Sequence, residues 1–331
     1  MSITDVYHNA YIKTVLKSKN ILFRSLSLMF LGILLIGVSP NLHAQQDPVF
    51  NQYMNNLLTI QPAYAGMSGY VNVTVLSRIQ WVGFDGAPNT NTVTIQGPFR
   101  KYNVGLGVSI INDRFGPVRQ NGFYADYSFR ILLNSDEYVS FGMKGGFNRY
   151  EALLTDLSVH DPNDPVVAFD INKKYLPNFG IGVMWHADNF FLGASVPKIF
   201  QNKINSNSGE TVYQEEVNFY AMGGYVLDIA DNVKFKPTFL ARWSQNTPSV
   251  VDFSANALFY DRVWVGATYR LQNSYGLLFQ IFVSGQVKLG YAYDLTSFHP
   301  SQLNAGTHEF MFSYDFPYKK RRYCRFTPRY F

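Results

Sequence analysis

The chain has 331 residues, 17% of them Phe, Trp or Tyr, at a modest mean hydropathy and a net charge of +5. That charge sits at the ends: the first 44 residues carry +3 and the last 15 carry +6, which leaves the body near −4. A broad cationic face for nucleic acid is therefore excluded, and a single cysteine, Cys324, excludes both a disulfide framework and a Cys-based metal site.

The first element is a leader. Basic residues Lys13 to Arg24 precede the apolar run Leu26 to Val38, and Leu42-His43-Ala44 offers a cleavage site before Gln45. An apolar run of about 13 is short for a ~30 Å hydrocarbon core, which favours a cleaved signal peptide over residues 1–44 rather than an anchor. Beyond it no stretch of 18 apolar residues occurs. A mature chain that spans a membrane must then do so as a closed barrel, because lipid leaves no backbone group unpaired.

Residues 45–69 lack alternation and are expected to form a periplasmic N-terminal segment or plug. From residue 70 to 316, apolar and polar residues alternate with period 2. Phe123, Ala125, Tyr127 and Phe129 share one face, for example, opposite Asp126, Ser128 and Arg130. The pattern predicts fourteen strands, near 70–81, 90–98, 102–112, 119–133, 137–149, 177–187, 190–196, 214–227, 233–243, 250–259, 262–271, 275–283, 286–295 and 307–316. Most have the ~9–11 residues of a tilted spanning strand. The connections alternate too. Long ones, at 82–89, 113–118, 151–176, 197–213, 244–249 and 296–306, alternate with short ones such as 134–136, 188–189, 260–261 and 284–285. Long outer loops over short periplasmic turns mark an antiparallel up-and-down transmembrane β-barrel.

The polar phase carries Arg78, Arg130, Lys144, Lys234, Lys236, Arg242, Arg262, Arg270 and Lys288. With them are Asp126, Asp252, Asp294, Glu309 and Asp315. These are expected to face the lumen, either as a charged pore or, preferably, as paired charges in a plugged interior. The oxygen-rich stretch Asp156 to Asp164 has the donors for Ca²⁺. It lacks the bidentate Glu and glycine turn of an EF-hand, so a solvated loop is expected. His186 and His308 accompany no nucleophile motif, and no catalytic or cofactor residue is assigned. The tail, residues 317–331, combines Lys319, Lys320, Arg321 and Arg322 with Tyr323, Phe326, Tyr330 and Phe331. It reads as a periplasmic arm, either solvated or docking to an acidic partner or lipid phosphates.

Several segments together resemble the PorP/SprF family of Bacteroidetes type IX secretion and gliding proteins. They are Gln46-Asp-Pro-Val-Phe-Asn-Gln-Tyr-Met-Asn55, Gln61-Pro-Ala-Tyr-Ala-Gly66, Arg78-Ile-Gln-Trp-Val-Gly-Phe-Asp-Gly-Ala-Pro88, Gly105 to Pro117, and Ser140 to Tyr150. The family usually has Asn where this chain has Gln61. The resemblance implies a non-enzymatic outer-membrane component without cofactors. It also implies that the outer loops hold the C-terminal domain of a secreted, adhesin-like protein while the periplasmic face meets secretion components or lipoproteins. Candidate partner-binding residues are Trp81, Phe84 and Asp85 at the first outer loop, Asp113, Arg114 and Phe115 at the second, and the tail residues Lys319 to Arg322. The alternative is a passive or substrate-specific porin. What fills the lumen separates the two: a plug predicts no conductance, an open Arg/Lys ring an anion-selective current.

Overall fold

A computed structural model describes residues 49–134, 136–156, 170–205, 211–271, 274–296 and 306–316. The leader, the oxygen-rich stretch from residue 157 onward and the basic tail with Lys319, Lys320, Arg321 and Arg322 lie outside the described residues.

The strands are β1 (Val71–Ile79), β2 (Asn89–Phe99), β3 (Val104–Phe115), β4 (Val118–Leu132), β5 (Tyr138–Ala152), β6 (Ile171–His186) and β7 (Phe190–Val196). They continue as β8 (Lys203–Asn205), β9 (Thr211–Gln214), β10 (Phe219–Tyr225), β11 (Leu227–Ala230), β12 (Val233–Trp243) and β13 (Val250–Phe259). The last are β14 (Val263–Arg270), β15 (Ser274–Phe282), β16 (Val287–Thr296) and β17 (Thr307–Phe316). All ladders are antiparallel between chain neighbours, and β1 closes on β17 with Val71 opposite Phe316 and Ile79 opposite His308. β11 continues β10 along β12 beyond Val226, and β8 pairs only with β9. The result is a closed antiparallel barrel of fourteen staves, as the alternation predicts.

Three boundaries differ from the sequence reading. β3 runs to Phe115 and turns at Gly116-Pro117, so the expected second outer loop at 113–118 is a tight hairpin. β6 starts at Ile171, six residues earlier than expected, because β5 and β6 pair beyond the apolar band up to Ala152 opposite Ile171. The eighth stave starts at Phe219. Parts of the sequence assigned to loop and stave, Lys203–Asn205 and Thr211–Gln214, instead pair with each other as the β8–β9 hairpin. That hairpin survives because Ile204 and Tyr213 bury against Tyr150, Ile171 and Leu176, forming a small second core at the long-loop end. Alternation continues past the lipid wherever a second apolar surface exists to cover one face.

The pleat separates the two sides of the wall. On β4, Phe123, Tyr127 and Phe129 are exposed outward, while Tyr124, Asp126 and Ser128 are buried inward. Corresponding outward apolar side chains on other strands include Phe141 and Met143 on β5, Phe279 on β15 and Phe312 on β17. The main core lies inside the barrel. Tyr53, Met54, Leu57, Leu58, Ala63, Tyr64, Ala65 and Met67 pack there against inward side chains such as Met184, Phe191, Tyr220, Met222 and Leu278. Residues 49–69 thus cross the lumen as three short 3-10 turns.

Inward glycines on the wall make room for this segment. A Cβ at Gly142 would collide with the backbone of Pro62 and Ala63, and one at Gly105 with the Ala65 carbonyl. Glycine is the residue that permits such close approach.

Candidate functional site

The lumen is occupied and the contacts that occupy it are specific. At the end of β17, the buried Glu309 carboxylate accepts hydrogen bonds from Asn51 N–H (2.8 Å) and Gln52 N–H (3.1 Å). It is also paired with Arg78 of β1, whose guanidinium lies 3.5 Å from Asp294 of β16. Next to it, Arg270 forms a two-pronged pair with Asp252 at 2.7 and 3.1 Å. On the other wall, Lys144 pairs with Asp126 at 2.9 Å and donates to the Leu58 carbonyl at 3.0 Å. Each of these charges has an opposite charge, without which its desolvation would be costly.

The plug backbone, which has little regular structure of its own, borrows partners from the wall. Ser128 Oγ donates to Ala65 O (2.6 Å), and Ser195 Oγ to Ile60 O (2.7 Å). Gln96 Oε1 accepts from Gly66 N–H at 3.0 Å. Gln61 Nε2 donates to the carbonyls of Val183 and Ala194, both at 3.1 Å, and its Oε1 caps the turn at Ala63 N–H. The Gln61 carboxamide therefore bridges two wall strands and the plug, against the floor left by Gly182 and Gly193.

Most expected lumen charges face inward. Arg78, Lys144, Lys236, Arg242, Asp126, Asp252, Asp294 and Glu309 are buried, and Arg130, Lys234, Arg270, Lys288 and Asp315 are half-buried. Arg262 differs. It is exposed in the short turn before β14, where the pleat no longer applies.

Above the plug, at the long-loop end, a vestibule of about 770 Å³ opens. Its floor includes Val49, Arg78 and Arg270, and its sides include Trp81, Phe115, Tyr213, Glu215 and Arg242. The cavities further in measure only about 70 and 30 Å³. The first loop and the β3–β4 turn form one side together, with Gly116 N–H donating to Gly86 O at 2.8 Å. Trp81 adopts a left-handed backbone (φ 46°) where the chain leaves β1. On the opposite side, Glu215 is buried and accepts from Asn178 (3.1 Å) and Asn202 (2.6 Å), which ties the loop after β9 to β6. At the foot of the loop before β6, the N–H and hydroxyl of Thr155 bond to Asp170 at 3.0 and 2.8 Å. They hold that carboxyl below its ordinary range.

The expected partner residues are distributed by the pleat. Trp81, Asp113 and Phe115 line the vestibule, and Asp113 accepts from Thr90 Oγ1 at 2.6 Å. Phe84 and Asp85 are exposed on the loop, away from the cavity lining. Arg114 points outward, because 113–115 is strand and its middle residue takes the other face. The sequence reading missed Tyr213, Glu215 and the Asn178 clamp. Their only local signal is a short alternation around 211–215, and the Asn178–Glu215 clamp joins residues 37 positions apart.

A closed fourteen-stave barrel with an aromatic outer belt and a filled, charge-paired lumen is an outer-membrane β-barrel protein. The model of the family "Type IX secretion system membrane protein PorP/SprF" matches residues 42–314, and the chain belongs to that family. Its location is accordingly the outer membrane. Among solved structures it is similar to Acinetobacter baumannii outer membrane protein Omp33, at 11% identity over 76% of this chain and 100% of that one, TM-score 0.45. It is similar also to the CymD monoaromatic hydrocarbon channel, at 9% identity over 83% and 95%, TM-score 0.48. The Ralstonia pickettii toluene transporter TbuX matches at 10% identity over 81% and 94%, TM-score 0.46. No curated protein sequence gives a significant match.

Proposed function

We propose that this protein is a docking platform of the type IX secretion machinery rather than a conduit. Its long-loop face would hold the C-terminal domain of a secreted, adhesin-like protein, and its short-turn face would meet periplasmic secretion components or lipoproteins. The observation that carries the reading is the plug. Leu57, Leu58, Ala63 and Ala65 are fully buried in the lumen, and the segment is tied to strands around the wall. A barrel filled in this way has a rigid frame and no use for its interior as a path, so its working surfaces are its two ends. The vestibule, with Trp81, Phe115 and Tyr213 around a polar floor, has the mixture of aromatic anchors and polar groups found in protein-binding patches.

The test is an affinity pull-down of the tagged barrel from its native outer membrane, with planar-bilayer recording of the purified protein. Recovery of a large surface protein or of secretion-ring components, from a barrel that does not conduct, is the expected result. Recovery of the barrel alone, with a steady anion-selective current, would replace this reading with a porin. The vestibule arginines are the feature that favours the second reading, but Arg78 and Arg270 are already paired with carboxylates.

A further inference from the structure

The outward face of the barrel carries a feature that docking at the loops does not use. On β4 the outward residues Phe123, Ala125, Tyr127, Phe129 and Ile131 form an apolar run, roughly 27 Å along the strand at about 3.4 Å per residue. Tilted by ~40°, that is about 20 Å of height, close to the apolar band of an outer-membrane barrel. Above it, toward the long-loop end and beyond the exposed Asn112–Asn121 amide pair, the outward residues become cationic. Arg114 of β3 stands directly opposite Arg119 of β4. Arg119 is opposite Glu151 of β5, and Arg149 of β5 is opposite Tyr175 of β6. Lys173 is exposed at the bulge where β6 passes β5, whereas Lys174 pairs with inward Tyr150 and takes the other face. Glu151 is the one acid in the patch among the described residues, and it is engaged by Arg149 at 3.2 Å.

Two like charges placed directly opposite on one face of a ladder repel and destabilise it. Arg114 and Arg119 are paired one step below a two-residue turn, so they have little freedom to separate. A bound anion converts that repulsion into attraction. Beneath and beside Arg149 lie exposed rings, with Phe123 and Phe147 at 5.5 Å and Phe147 and Tyr175 at 5.7 Å between centroids. The patch therefore offers phosphate-binding groups over a hydrocarbon-facing aromatic strip, on the same strands and in the vertical order of a lipid.

We propose that Arg114, Arg119, Arg149 and Lys173 form a binding site for the phosphate groups of an acylated glycolipid of the outer leaflet, whose acyl chains lie on Phe123, Phe147 and Tyr175. The site fixes the orientation and height of this wall in the membrane. It goes beyond the docking reading and depends only on the long-loop end facing outward.

The experiment is native mass spectrometry of the purified full-length mature barrel in detergent, titrated with lipid A, with dephosphorylated lipid A, or with lipid A plus excess inorganic phosphate. Each cation near a lipid surface contributes about fivefold, so Arg114→Gln/Arg119→Gln/Arg149→Gln should lose about a hundredfold in lipid A retention. Arg119→Gln alone, a lighter change to the barrel, should lose about fivefold. Arg262→Gln, an exposed arginine at the opposite end, should retain lipid A as the wild type does. The wild type should take up the dephosphorylated lipid at least about tenfold more weakly, a difference that needs no variant. Equal uptake of the two lipids, or wild-type retention by the triple variant, would overturn the site. Full displacement by inorganic phosphate would show a free-anion site instead. A protein partner lost from the triple variant while lipid uptake is unchanged would show a protein surface.

Discussion

The wall of the barrel has two sectors that meet the membrane differently. β3 to β6 are 12, 15, 15 and 16 residues long, and their ends rise past the apolar belt into a charged rim of Arg114, Arg119 and Arg149. β12 to β17 are 8 to 11 residues long and stop at the belt. At the long-loop end they carry rings instead: Trp243, Phe253, Tyr269 and Tyr275, with Trp243 stacked on Phe219 and Tyr269 on Tyr275. Strand length sets the rim chemistry. A strand that ends in the interface places its last outward residues where amphipathic rings are most stable, whereas a longer one places them in water or among headgroups, where charge is stable. The long sector also leans on the second core under β8 and β9, which the short sector lacks among the described residues.

The largest effect should come from the plug that both sectors grip. Gly142→Val places a side chain where Pro62 and Ala63 now lie, and overpacking against backbone leaves no flexible group to yield. The expected outcome is loss of the plugged barrel, read as loss of heat-modifiable migration and as protease cleavage within residues 49–69. Next is Glu309→Ala, which removes the main partner of Arg78 and the acceptor for two plug amides. A buried pair broken on one side costs about 3–5 kcal/mol. Hydrogen exchange at Asn51 and Gln52 should accelerate before exchange at Ala65, on the Ser128 side. Uniform acceleration would show that the plug opens as one unit.

The sector comparison itself is probed by charges on the lipid face. Phe279→Lys, at mid-height in the short sector, should cost about 2–4 kcal/mol in folding into bilayers. Tyr275→Lys, at the rim of the same strand, should cost no more than about 1 kcal/mol. If both cost the same, the rim of the short sector lies deeper than its strand length implies. The smallest effect is expected at Gly145, where an added Cβ meets nothing within 4 Å. Gly145→Ala should change stability by less than about 0.5 kcal/mol, measured by the same denaturant titration. A large loss there would mean that wall glycines are selected for backbone flexibility and not for the room they leave.

Period-2 alternation by itself determined the barrel, its fourteen staves and the side that nearly every strand residue faces. Each of those properties is local, set by two neighbours on the pleat and by the need to keep one face apolar. The motif segments pointed to the family, and to a stretch before β1 with a role of its own. Tertiary structure alone decided what that stretch does. Asn51 and Glu309 are 258 positions apart, and they meet only because β1 closes on β17 and brings the last strand against the first turns of the plug. The inward glycines Gly105 and Gly142 leave room for the Pro62–Ala65 backbone, a contact their own strands do not announce. Arg114, placed in the loop 113–118 by the sequence reading, is sent outward because the strands run on to a two-residue turn at Gly116-Pro117. In each case the deciding partner was distant in sequence, and no local pattern records a contact made only when the barrel closes.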